Sequence, residues 1–473
     1  MCKKIFLAVV ALMAVSVCSA NAQGWQFVKI FPDSGFNPGV ISGGGINNAL
    51  TVDPMGRVWM ASYRYDDSLA RTGGGMIPVK SIYVFNSDGS QASFSPLHVL
   101  MSRDGTVKDT LNGGIMGFSY SYGMTTGPSD GDIYMALPSA YIIKLDYHDG
   151  TEIQKIENPI PGYASSLASC AVDNAGEVFT VGVIGAPTGP IALTSDFTQV
   201  AESIDTSEYN GVARAIAVSG DGNDVYVPYF ANFQIISGQD TAITPVVLHY
   251  HSSAGTLSQY VLQDTLLKGL SVESMAWQPG SGYLWCGSGG PVTDKNTDTA
   301  FSPLSWYAFD MTNPSNPVLK DSIKWNLTAV GIGADSLKTT IIDDRGIAFS
   351  PSGDTAYVAV FNSNINCVQM FTGHVTAVNQ TSLGPTSYIL SQNYPNPFNP
   401  TTKIEYSLKN NVKVTLKVYD VLGREVATLV DAKQSAGQHF VTFNGDRFAS
   451  GIYLYSLVTS DGFKMTKKMV LLK

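Results

Sequence analysis

One short pattern recurs six times along this chain and decides what it can fold into: an apolar alternating strand, a polar turn closed by glycine, then a second strand rich in Val, Tyr and Trp. The copies run Ala49–Ala61, Tyr120–Ala136, Ser169–Val181, Ala215–Val227, Ser274–Cys286 and Gly346–Val358. Several are followed by a third strand and turn, as at Ile82–Gly89, Ile142–Asp146 and Trp306–Asp310. A hairpin of this size cannot bury its own apolar face, so the copies must stack on one another, which is the logic of a β-propeller. The spacing is uneven, with wide gaps between the first and second copies and between the fifth and sixth, so six or seven blades both fit. Trp25–Phe31 is expected to supply the outer strand of the last blade, because joining the chain ends removes open sheet edges. Two unrelated β-sandwiches are the competing architecture.

These repeats resemble β-propellers of the broad NHL and YVTN class over about Gly24 to Val378, although no copy matches a family signature in full. The chain's start sets the compartment. Lys3 and Lys4 precede an apolar run from Ile5 to Val17, and Ala20-Asn21-Ala22 supplies small residues for cleavage, so residues 1–22 read as a secretory signal peptide with Gln23 opening the mature chain. Cys18 admits a lipoprotein reading, against which Val17 is bulky where a small residue is wanted. No later stretch reads as a transmembrane segment. Cys170, Cys286 and Cys367 remain in the mature chain, an odd and scattered set that argues against a disulfide framework, so stability must come from packing.

Charge divides the chain in two. From Ser387 onward there are 11 Lys and Arg against 6 Asp and Glu, whereas residues 23–386 carry 16 against 32. An acidic body without clustered Lys or Arg lacks the electrostatic footprint of a nucleic-acid binder, and nucleic acid is excluded as a partner. The reversal also places a domain boundary: a propeller passenger at 23–378, a linker at 379–391 through Gly384-Pro385, and a separate tail at 392–473.

The tail opens on Tyr394-Pro395-Asn396-Pro397-Phe398-Asn399-Pro400, whose prolines forbid a helix. Alternating strands follow at Lys403–Leu408, Val412–Tyr419 and Phe440–Phe443, with a hairpin turn at Asp420–Val426. The opening segment, the Tyr419-Asp420-x-x-Gly423-Arg424 turn, the Gly451-x-Tyr453 step and the basic finish from Lys467 and Lys468 to Lys473 closely resemble, over 387–473, the type A C-terminal sorting domain of the type IX (Por) secretion system. That resemblance implies a small Ig-like β-sandwich, the type IX machinery as partner, and Sec export followed by passage across the outer membrane to the cell surface or the medium. The fold class expected overall is all-β: a six- or seven-bladed β-propeller followed by a small Ig-like β-sandwich.

Catalytic signatures are absent: there is no Gly-x-Ser-x-Gly elbow, Walker loop or His-Glu-x-x-His helix. His249 and His251 lie two apart on an expected strand and so share a face, the arrangement of a metal pair or of an ordinary solvated strand. Asp294-Lys295-Asn296-Thr297-Asp298 imitates the front of a calcium loop, but Thr299 and Ser305 stand where Gly and Glu are needed. Asn47, Asn48, Arg214, Glu273, Asp344 and Arg345 precede innermost strands and are expected to gather at one mouth of the propeller channel. Glu273, Asn48 and Asp344 there loosely resemble ligand positions of gluconolactonase-like propellers, yet the order differs and Arg214 and Arg345 would repel a cation. Pairing between the arginines and the carboxylates is the expectation, and no cofactor is assigned, with a divalent cation as the alternative. Trp59, Tyr63, Tyr65, Tyr229 and Trp285 are candidates to floor a glycan groove. The sequence therefore predicts an exported binding propeller for an extracellular ligand, glycans among the candidates. The alternative is an extracellular metal-dependent hydrolase, lactonase or glycan-active enzyme on the same scaffold.

Overall fold

A computed structural model describes residues 24–32, 49–62, 65–70, 74–111, 123–137, 141–157, 166–184, 189–202, 204, 213–229, 244–253, 259–289, 300–331, 343–361, 367–373, 388–390, 392–393, 395–434 and 437–473. The expected signal peptide, Asn47, Asn48, Tyr63, the Asp294–Asp298 loop, most of the linker and Tyr394 lie outside these residues. Each of the six sequence copies forms the inner hairpin of a sheet. The inner strands are Ala49–Val52, Gly123–Thr126, Ser166–Val172, Ala217–Val218, Val272–Gln278 and Asp343–Phe349, each paired antiparallel with the strand that follows its turn. Five of these sheets have four strands and the first has three.

The turns explain why the pattern repeats. Asp53 accepts hydrogen bonds from the backbone N–H of Met55 and Arg57, and Asp173 does the same for Ala175 and Glu177. The reversal then needs a left-handed residue, supplied by Gly56 and Gly176 at φ 78° and 83°. Arg57 Nε and Trp59 Nε1 both donate to the second oxygen of Asp53, at 2.7 and 2.8 Å, tying turn to strand.

Inner strands of successive sheets contact one another in sequence order, and the sixth contacts the first, so the ring closes. The first inner strand touches the second directly, and the fifth touches the sixth, with no further sheet between them among the described residues. The long gap after the first copy holds two extra hairpins instead, Asp67–Ala70 with Met76–Val79 and Val99–Met101 with Val107–Thr110. Closure is made as the sequence predicts: Gln26–Phe31 pairs with Val368–Thr372 as the outer strand of the sixth sheet.

Outer strands carry a repeated feature. The pairing shifts by one residue between Phe27 and Lys29, between Lys144 and Leu145 opposite Glu152–Glu157, between His249 and Tyr250 opposite Val261–Leu266, and between Ala308 and Phe309 opposite Val318–Lys324. A β-bulge on an exposed edge twists it out of register with any second chain, which protects the rim of the ring from edge-to-edge association.

The tail folds as a two-sheet sandwich. Ile389–Leu390, Thr401–Leu408 and Gly437–Asn444 form one sheet, and Glu425–Gln434, Val412–Asp420, Gly451–Thr459 and Lys464–Leu471 form the other in that spatial order. Ile404, Tyr406 and Phe443 of the first sheet pack with Val414, Leu416, Tyr455, Leu457 and Met469 of the second in one core. Ile389–Leu390, which composition places in the linker, pairs with Tyr406–Ser407 and belongs to the sandwich. Among the described residues no helix is long and apolar enough to cross a membrane.

Candidate functional site

Three of the expected mouth residues meet. Glu273 Oε2 lies 3.0 Å from Arg345 Nε, which donates to it, and 3.4 Å from Arg214 Nε, so the leading ends of the fourth, fifth and sixth inner strands are joined through one carboxylate. The convergence has a local cause. Pairing in the fifth sheet skips from Val272 to Ser274, and in the sixth from Asp343 to Gly346, so Glu273, Asp344 and Arg345 all sit in irregular stretches that redirect their side chains. Glu273 is only 7 % exposed and packs against Gly289, where a Cβ would come within 1.9 Å of its Cγ. Any residue larger than glycine at 289 would displace the carboxylate.

Asp344 serves the same corner differently. It is fully buried, and its Oδ2 accepts hydrogen bonds from Ser305 N at 2.7 Å and Ser288 Oγ at 3.1 Å, while its backbone carbonyl accepts Ser274 Oγ at 2.6 Å. It thereby fastens the third and second strands of the fifth sheet to the start of the sixth. The sequence expects Asp344, like Glu273, to pair with an arginine, with a ligand role as the alternative; in the structure its hydrogen bonds to Ser288, Ser305 and Ser274 give it a bracing role.

His249 and His251 do share a strand face, and both approach one oxygen of Asp224 at 2.8 Å. Asp264 Oδ2 stands 3.5 Å from the other nitrogen of His249, and the Tyr226 ring stacks on the imidazole at 5.0 Å. Burial pushes the Asp224 carboxyl up, but hydrogen bonds and charge from the two histidines outweigh it and hold the group below its ordinary value. Among the described residues no group of three or more His, Cys, Asp or Glu is arranged to hold a metal ion.

Two expectations about aromatic residues fail. Trp59 and Trp285 are both fully buried, so neither can floor a glycan groove. Central propeller strands are covered on both faces by neighbouring sheets, and rings there are packing rather than platform. Tyr65 and Tyr229 are half-buried. A groove of about 690 Å³ runs instead along the closing strand, lined by Phe27, Lys29, Ile30, Pro32 and the Asp88–Ser90 turn.

One polar cluster has no counterpart in the sequence reading. Asp66 accepts hydrogen bonds from Ser62 Oγ, Ser81 Oγ and Tyr83 OH at 3.1, 3.0 and 3.0 Å, and His98 Nε2 lies 3.0 Å from Ser81 Oγ. Lys80 is fully buried beside them, with no hydrogen-bond partner for its amine among the described residues. Burial lowers the Lys80 pKa to about 7 against the pull of Asp66, and burial also raises that of Asp66 in spite of its hydroxyl donors. The only sequence signal is a lysine between apolar Val79 and buried Ser81, inside an insertion that no repeat covers.

The sorting residues are mostly structural locks. Asp420 takes hydrogen bonds from Leu422 N, Arg424 N and Arg424 Nε, reproducing the Asp53–Arg57 turn with Gly423 at φ 76°. Tyr453 OH donates to the Ala449 carbonyl at 2.8 Å, and Gly451 holds φ 153°. Asn399 and Pro400 lead into the strand at Thr401.

Ring and tail together define a class: a β-propeller passenger joined to a sorting module. Residues 392–472 match the family model described as the secretion system C-terminal sorting domain, and this segment is such a domain. It marks the chain for export across the outer membrane to the cell surface or extracellular space. A search of the curated proteins finds no match. Similar solved structures include one described as the mitotic checkpoint complex, at TM-score 0.42 and 11 % identity over 74 % of this chain and 96 % of that one. The RRP9 WD40 repeats match at 0.41 and 11 % over 74 % and 100 %, and the Neurospora crassa Pan2 WD40 domain at 0.40 and 9 % over 74 % and 95 %.

Proposed function

We propose that the passenger is a non-enzymatic binding propeller for an extracellular ligand, delivered by its sorting domain. The observation that supports this most directly is the placement of Glu273 between Arg345 and Arg214, at 3.0 and 3.4 Å. A carboxylate already neutralised by two guanidinium groups is a poor cation ligand, and two fixed positive charges beside it would oppose a metal. The mouth is then a charge-satisfied corner, and recognition falls to outer surfaces such as the groove along Phe27–Pro32.

The competing reading is a metal-dependent hydrolase or lactonase with Glu273 as ligand. The two differ in melting behaviour. With the arginine pairing, chelator leaves the melting temperature of the mature chain unchanged at this site, and Glu273→Gln lowers stability by about 3 kcal/mol because the largely buried guanidinium of Arg345 and the half-buried one of Arg214 lose their counter-charge. A bound metal would instead raise the melting temperature with the logarithm of its concentration. A metal-dependent shift that disappears in Glu273→Gln would refute the binding-module reading. Glycans are the first ligand class to screen.

A further inference from the structure

The terminal strand, Lys464–Leu471, lies at the open edge of its sheet and pairs with Gly451–Thr459 in eight unbroken steps, without the bulge that four of the propeller's outer strands carry. Part of that edge is covered by the segment that opens the sorting domain. Gln392 Nε2 donates to the Lys468 carbonyl at 2.7 Å, and Asn396 Oδ1 accepts the Val470 N–H at 2.8 Å. Phe398 N then donates to the Val470 carbonyl at 2.9 Å, and Leu472 N to the Phe398 carbonyl at 3.0 Å, forming a parallel bridge beside Leu471. Phe398 itself is buried against Phe443, which anchors the segment at one end.

Lys468, Val470 and Leu472 thus turn their backbone groups outward, and strand alternation gives Lys464 and Thr466 the same direction, beyond the reach of these contacts. The covering segment is suited to a temporary role. Pro395 and Pro397 have no N–H, and among the described residues Gln392 and Asn396 cover the edge through their side chains rather than through backbone. We propose that the outer edge of the terminal strand is a docking surface for an extended, acidic strand of the secretion machinery, and that Gln392–Phe398 is a strap lying where that strand will pair. Charge fixes the chemistry of the partner: Lys464, Lys467, Lys468 and Lys473 follow Asp461 with no acidic residue among them. Strand addition to such an edge draws affinity from main-chain bonds, and the row of lysines selects carboxylates.

The test uses the full chain in a cell that has the type IX machinery. Thr466→Pro removes one outward N–H, a change an edge strand tolerates because that N–H is not in the ladder. Thr466→Val keeps it. The expected result is that Thr466→Pro folds with a near-normal melting temperature yet reaches the surface about tenfold less, while Thr466→Val is exported normally. Normal export of folded Thr466→Pro overturns the docking edge. Should Thr466→Pro fail to fold, Lys464→Pro at the strand's first residue makes the same test. The strap is tested by Gln392→Ala, which lies outside the sorting motif: faster hydrogen exchange across Lys468–Val470 with export retained supports a displaceable cover. Loss of export by this folded variant would overturn that role.

Discussion

Raising the pH from 7 to 9, short of the range in which the buried thiols and tyrosines oppose it, is expected to stabilise the propeller, and Lys80→Met is expected to stabilise it at pH 7 and to flatten that pH dependence. Lys80 is buried without a hydrogen-bond partner among the described residues, and its folded pKa is lowered from 10.5 to about 7. The sign follows from proton binding. Between pH 7 and 10.5 the unfolded chain holds a proton that the folded chain has released, so stability rises with pH across that window and the penalty is complete below it. The shift corresponds to about 5 kcal/mol at most, at about 1.4 kcal/mol per pH unit. Met fills similar volume without an amine to desolvate, and replacing a buried charge by an apolar side chain is often neutral or stabilising. Asp66 keeps its three hydroxyl donors in the variant. Denaturant melts of both proteins at pH 7 and pH 9 measure the effect. A wild-type stability that is flat over this range, or a variant weaker than wild type at pH 7, would show that the amine is not held as a buried free base.

The Lys80 cluster also marks where the sequence stops being informative. The six inner hairpins are legible because their turns use local chemistry: an aspartate that accepts two backbone N–H groups and a glycine at positive φ are visible in the letters alone. The closing strand is legible because a ring must be sealed. The hairpins inserted on either side of Ile82–Phe85, Asp67–Val79 and Val99–Thr110, have no such repeat, so neither they nor the burial of Lys80 between them can be read. At the channel mouth the sequence names Arg214, Glu273 and Arg345 but not their geometry. Convergence there depends on two bulges, at Glu273 and at Asp344–Arg345, and a one-residue irregularity leaves no mark in an alternating pattern. Trp59 and Trp285 mislead for a related reason: a strand covered on both faces loses the alternation that separates core from surface. In the tail the sorting motifs are recognisable as words, whereas their work is physical. Asp420, Gly423 and Arg424 lock a turn, and Asn396 caps the edge of a strand about seventy residues away in sequence.

Truncating the chain after Thr466 is expected to abolish export while leaving the propeller folded in the periplasm. The deletion removes Met469 and Leu471, both fully buried in the sandwich core, together with the backbone partners of Gln392, Asn396 and Phe398. Loss of a buried Met or Leu side chain costs about 2–5 kcal/mol each. A domain of this size is stable by about 4–12 kcal/mol in all, so two such losses, with one strand of the second sheet gone, leave no folded sorting domain. The propeller shares none of that core: its buried residues form separate clusters, so its own melting transition should persist unchanged. Calorimetry should then show one transition where the full chain shows two, and fractionation should find the truncated protein inside the outer membrane. Leu471→Ala should fall between, with a weakened second transition and partial export. Surface display of the truncated chain at wild-type levels would mean that export does not depend on this sandwich, and that the sorting function resides elsewhere in the chain.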